Sequence, residues 1–117
     1  MQDIVARHLP KTTAEIVFDD GYPPMAPSAG NRRLLAMYDA ASRDLGLGSV
    51  VGVDPSRAGA ADVSFVAGIV PMIIDGIGLS GHDDHSAKET ADLRMLPAQT
   101  KRAALVLYRL MESPVRP

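Results

Sequence analysis

Ile69-Val70-Pro71-Met72-Ile73-Ile74-Asp75 runs directly into Gly76-Ile77-Gly78-Leu79-Ser80-Gly81-His82-Asp83-Asp84-His85-Ser86-Ala87-Lys88-Glu89-Thr90. The first part, apolar on both faces from about residue 70 to 75, predicts a central strand covered by helices on each side. The second part is a glycine-spaced loop that ends in two histidines, two aspartates and a glutamate. Glycines admit backbone conformations closed to other residues, and a loop leaving a buried strand is where α/β proteins place their chemistry. His85 offers a neutral imidazole nitrogen to a metal, with Asp84 and Glu89 near enough in sequence to ligate or to orient it. A solvated polar loop accounts for the same residues, and spacing alone leaves both readings open.

Composition sets the outer bounds. The 117 residues amount to one domain and can bury a modest core. A net charge of −2 and a pI near 5.8 argue against nucleic acid or an anionic membrane as partner, because both need a basic face. With no cysteine, disulfides, thiolate zinc sites and cysteine nucleophiles are all excluded. The compartment stays open on that count, with the cytoplasm expected ahead of the periplasm. No apolar run approaches the roughly 20 residues that span a bilayer, and Asp3, Arg7 and His8 interrupt any signal-peptide core. Aromatic residues make up only 4% of the chain and Trp is absent, so the core must rest on Leu, Ile, Val, Met and Ala.

Along the chain, Ile4, Val5, His8 and Leu9 fall at helical spacing until Pro10. Residues 12–18 alternate, with Ala14, Ile16 and Phe18 on one face, and predict a strand. The turn-rich segment 19–30 carries three prolines, which hold it extended and stiff enough for a hinge. A helix is predicted over residues 32–45, capped by Ser28 or Asn31. Its buried stripe is Leu34, Tyr38, Ala41 and Leu45, its wet side Arg32, Arg33, Asp39 and Arg43, and Gly46 and Gly48 end it. Residues 50–53 predict a short strand and 62–68 a short helix. The last helix is expected over 97–112, burying Ala103, Ala104, Leu107, Leu110 and Met111, with Lys101, Arg102 and Arg109 outside and 113–117 frayed. The methionines at 37, 72, 95 and 111 read as core filler. The element order fits an α/β fold with two domains, the first truncated.

The order Tyr22-Pro23-Pro24-Met25, then Gly59-Ala60-Ala61-Asp62, then Gly76-Ile77-Gly78, Gly81, His85 and Glu89, then an amphipathic terminal helix, resembles the C-terminal portion of the zinc-dependent amidohydrolases and peptidases of clan MH. That family includes acetylornithine deacetylase, succinyl-diaminopimelate desuccinylase, aminoacylase and glutamate carboxypeptidase. The resemblance implies an α/β catalytic domain with two zinc ions and an inserted lid domain that contributes substrate contacts and a dimer interface. Residues 1–18 then correspond to the end of the lid, 19–30 to the linker and 31–117 to the C-terminal part of the catalytic domain. His85, in Gly81-His82-Asp83-Asp84-His85-Ser86-Ala87-Lys88-Glu89, takes the place of the family's last metal ligand, and Glu89 that of a group behind it. Gly59 and Gly81 match glycines that approach substrate, with Gly59 in the loop that cups a carboxylate. Ala60 and Ala61 stand where several relatives have hydroxyl residues.

The resemblance further implies that the bridging carboxylate, a second His, a further acid and the Glu general base lie in an N-terminal half outside these residues. The expected function is therefore that of a C-terminal portion of a zinc metallopeptidase or amidohydrolase, cleaving an amide next to a carboxylate in the intact enzyme and inactive alone. Its expected partners are the missing half, further copies of itself and a small acyl-amino-acid or peptide substrate. The alternative is a non-catalytic α/β oligomerisation or binding module. Each site residue has a plain reading beside the functional one. His85 and His82 also suit a solvated loop, Asp83 and Asp84 a wet acidic turn, and His8 a helix surface. Asp62 suits a helix start, and Tyr22 a stiff hinge.

Overall fold

The computed structural model describes residues 1–57 and 59–112, and the frayed tail expected over 113–117 lies outside them. Three α-helices are present among the described residues: α1 (Gln2–Val5), α2 (Ala29–Asp44) and α3 (Leu96–Glu112). Ser28 starts α2 as expected, its hydroxyl accepting the Asn31 N–H at 3.0 Å. Gly46 ends it at φ +70°, and the bonds Leu47 N–H to Ser42 O and Gly46 N–H to Arg43 O, each 2.9 Å, satisfy two terminal carbonyls. A 3₁₀ turn, Leu93–Met95, leads into α3, with Asp92 accepting the Arg94 N–H at 3.0 Å.

Helices α2 and α3 pack against each other through Tyr38, Ala41 and Val106, with Leu34, Val50, Ile74, Ile77, Leu105 and Leu110 around them. They run in the same sense, so that Tyr38 meets Gln99, Ser42 meets Arg102, and Asp44 meets Arg109 at 2.6 Å. The α2 stripe was legible apart from Leu45, which is exposed. The α3 stripe is rotated from its expected position: Arg102 and Val106 are buried, while Leu107 and Met111 are 61% and 82% exposed. The cause is polar. Arg102 Nε donates to Ser42 Oγ (2.9 Å), Nη1 to Gln99 Oε1 (2.8 Å) and Nη2 to the Leu47 carbonyl (3.0 Å), and Ser42 Oγ donates on to Gly48 O (2.6 Å). A buried guanidinium is tolerated only with its donors occupied, and this network turns α3 until they are.

The predicted strands over 12–18, 50–53 and 70–75 carry no ladder. Residues 50–53 and 70–75 instead lie against α2 through side-chain anchors. Asp39 accepts the Val50 N–H at 2.8 Å, and Asn31 Oδ1 accepts the Ile73 N–H at 2.9 Å. Gly30 admits the second crossing, because a Cβ there would sit 2.0 Å from the Pro71 carbonyl oxygen. A strand needs a neighbour to satisfy its backbone, and among the described residues only one pair of strands forms, a two-stranded antiparallel hairpin. The short helix expected over 62–68 is a 3₁₀ turn, Asp62–Val66, with Phe65 edge-on to Tyr22 at 5.0 Å between ring centroids. That contact ties the proline-rich segment to the body of the chain. The radius of gyration is 20.0 Å, against about 13 Å for a compact chain of this length.

Candidate functional site

The glycine-spaced segment folds into a hairpin. Strand β1 (Gly81–His82) pairs with β2 (Thr90–Ala91), Gly81 opposite Ala91 and His82 opposite Thr90. The Asp92 N–H donates to Ser80 O at 2.8 Å and extends the ladder by one bond. Gly81 is required by close approach, because a Cβ at this position would meet the Thr90 carbonyl oxygen at 2.0 Å. Upstream, Gly76 turns the chain at φ +69°.

Residues 83–89 close the hairpin. The Ser86 N–H donates to Asp83 O (3.1 Å), the Glu89 N–H to Ser86 O (3.2 Å), and the Lys88 N–H to Ser86 Oγ (3.1 Å). Asp83 and His85 have φ of +57° and +62°, a left-handed backbone that costs an L-residue about 1–2 kcal/mol. The His85 N–H donates to Glu89 Oε2 at 3.1 Å, so the glutamate holds the backbone of the histidine from inside the turn. His85 is solvent-exposed, as is every residue from Gly81 to Ala91.

The remaining expected site residues are dispersed. His82 is exposed on β1, and its charge adds a small share to the environment of Asp92. Bonds from the Arg94 guanidinium, then from its backbone N–H, hold the Asp92 carboxyl below the usual carboxylate range. Gly59 lies ahead of the 3₁₀ turn with open space where a side chain would be. The neighbouring Ala61 N–H is occupied by Ser64 Oγ at 3.3 Å, which removes one amide from any carboxylate cup there. Asp62 is the exposed first residue of that turn. Among the described residues, no three His, Asp or Glu side chains converge on a position that would hold a metal. A catalytic zinc takes three protein ligands. Among the described residues the turn around His85 supplies no such set.

Three residues that organise this region were missed from sequence. Asn31 was read only as a cap, yet its carboxamide bridges Ala26 O and the Ile73 N–H. Ser64 and Asp92 close local turns, and the serine or aspartate within three residues of a helix start was the available signal. Compared with protein-family models, characterised proteins and solved structures, the chain matches none.

Proposed function

We propose that this chain is the C-terminal portion of a zinc-dependent amidohydrolase or peptidase and that His85 is its metal ligand. The observation that carries the reading is the turn itself. An exposed histidine stands at positive φ at the end of a glycine-spaced hairpin, with its amide fixed by Glu89. Strained backbone on a charged exposed turn needs a reason, and function is one such reason. Zinc, when bound, supplies Lewis-acid activation of water at the amide carbon. His85 contributes one neutral imidazole nitrogen. The other ligands and the general base belong to sequence outside these residues, in an α/β domain that residues 31–117 complete.

The second reading, a non-catalytic oligomerisation module, is favoured by the amount of apolar surface. Leu107, Tyr108 and Met111 along α3, Leu93 in the 3₁₀ turn before it, and Val51, Val53 and Ile69 in the segments after α2 are all exposed. Both readings expect a partner, and they differ on what lies upstream of Met1. An in-frame His-x-Asp and a Glu-Glu pair there select the hydrolase. With that sequence restored, His85→Ala should abolish hydrolysis of N-acyl amino acids while His82→Ala leaves most of it. Equal losses from the two variants would remove His85 from its assigned place.

A further inference from the structure

We propose that the solvent face of α3 pairs with the same face of a second copy of this chain, the two helices running antiparallel; the proposal deepens the oligomerisation reading and rests on it. Helix α3 is apolar on two sides. Arg102 and Val106 turn one side to α2, while Thr100, Ala104, Leu107 and Met111 on the other are all exposed. Those four follow one another at spacings of four, three and four residues, the repeat by which one helix seats its side chains between those of another. Size and charge select the occupant. In an antiparallel pair centred between Leu105 and Val106, Ala104 faces Leu107 of the second copy and Thr100 faces its Met111, so each small residue admits a large one. Lys101 and Glu112, both exposed, lie on one flank of this seam. Two-fold symmetry across antiparallel helices brings like flanks together, which sets Lys101 level with Glu112 of the second copy to within about 3 Å along the axis. The ion pair forms twice, once at each end, and fixes the register. A parallel pair stacks Ala104 on Ala104 and Met111 on Met111, and keeps the charged flanks apart. Area suffices as well. The chain exposes 9619 Å² against about 6,100 Å² for a compact monomer of this mass, and a standard interface takes about 800 Å² from each partner.

The test uses the full 117-residue chain, with sedimentation equilibrium giving the dimer dissociation constant and circular dichroism the helix content of each variant. Leu107→Glu, at an exposed position, should keep the helical signal and leave the chain monomeric. Lys101→Glu and Glu112→Lys should each weaken the dimer about two- to tenfold, and the double exchange should restore it. The chain has no cysteine, so single introduced cysteines report which residues meet. Mixed under mild oxidation, Thr100→Cys and Met111→Cys chains should crosslink to each other faster than either links to itself. Self-linking at least as fast as cross-linking would overturn the antiparallel arrangement. Charge variants without recovery in the double exchange would overturn the pairing of Lys101 with Glu112, whatever Leu107→Glu does to the fold. Undiminished association in a folded Leu107→Glu would overturn the α3 interface and leave the oligomerisation reading standing. A wild-type chain that stays monomeric would overturn both.

Discussion

Asp39 shows how much a single side chain does in a fold this sparsely packed. Its carboxylate accepts from Arg43 one turn along α2 and from the Val50 N–H, joining the helix to the segment that follows it. Those bonds, the Arg43 side chain first, lower its proton affinity, and bonds from Ser56 and from Arg94 do the same for Asp54 and Asp92. A carboxyl whose affinity for protons is lower in the folded state than in the unfolded one stabilises the fold above its unfolded pKa of about 3.9, and loses that contribution as pH falls through the lower folded value. Thermal melts should therefore be insensitive to these three groups above roughly pH 5 and drop progressively below about pH 4. Asp39→Asn should flatten part of the acid limb. Stability that rises on acidification from neutral pH would contradict the assignment of these bonds.

At the level of elements, the two long helices were legible because each announces itself locally. Ser28 caps α2, Gly46 terminates it, and Leu34, Tyr38 and Ala41 recur at helical spacing. The rotation of α3 was not legible, because it depends on Ser42 and the Leu47 carbonyl, about 60 residues earlier in the chain. Charge patterning places Arg102 in solvent, whereas tertiary demand places it between the helices. Arg102→Met should keep the apolar stem but leave Ser42 and the Leu47 carbonyl short of a donor, costing about 1–3 kcal/mol in a denaturant or thermal melt. Restored or increased stability would mean that the guanidinium costs more than its bonds return, as happens for some buried ions. The hairpin β1–β2 escaped sequence reading for a different reason. Its strands are two residues each, too short to alternate, and its register rests on Gly81 meeting the Thr90 backbone. His85 does lie exposed in a turn, as its glycine-spaced surroundings suggest, but the strand expected ahead of it over residues 70–75 does not form.

For the whole molecule, surface area is the decisive quantity. The chain exposes 9619 Å², while a compact monomer of this mass exposes about 6,100 Å². The excess, on the order of 3,500 Å² on one chain, exceeds the roughly 1,000–2,500 Å² per partner that most obligate interfaces bury. Segments 12–18, 50–53 and 70–75 carry the apolar patterns of strands but pair with no strand, and α3 turns Leu107 and Met111 to solvent. A chain with so few buried side chains covers such surface by association. Size-exclusion chromatography with light scattering should find oligomers, or a monomer that binds hydrophobic dye strongly. A dye-silent monomer would show that the chain closes on itself in solution and needs no partner.

Calorimetric zinc titration bears most directly on the proposal that His85 is a metal ligand whose companions lie outside these residues. The 117-residue chain should show only weak binding, since no three His, Asp or Glu side chains converge among its described residues. If the proposed companion half is supplied, the assembly should bind zinc tightly, and His85→Ala should remove about one equivalent of it while His82→Ala removes none. Tight, submicromolar zinc binding by the 117-residue chain, or unchanged stoichiometry in His85→Ala, would contradict the account.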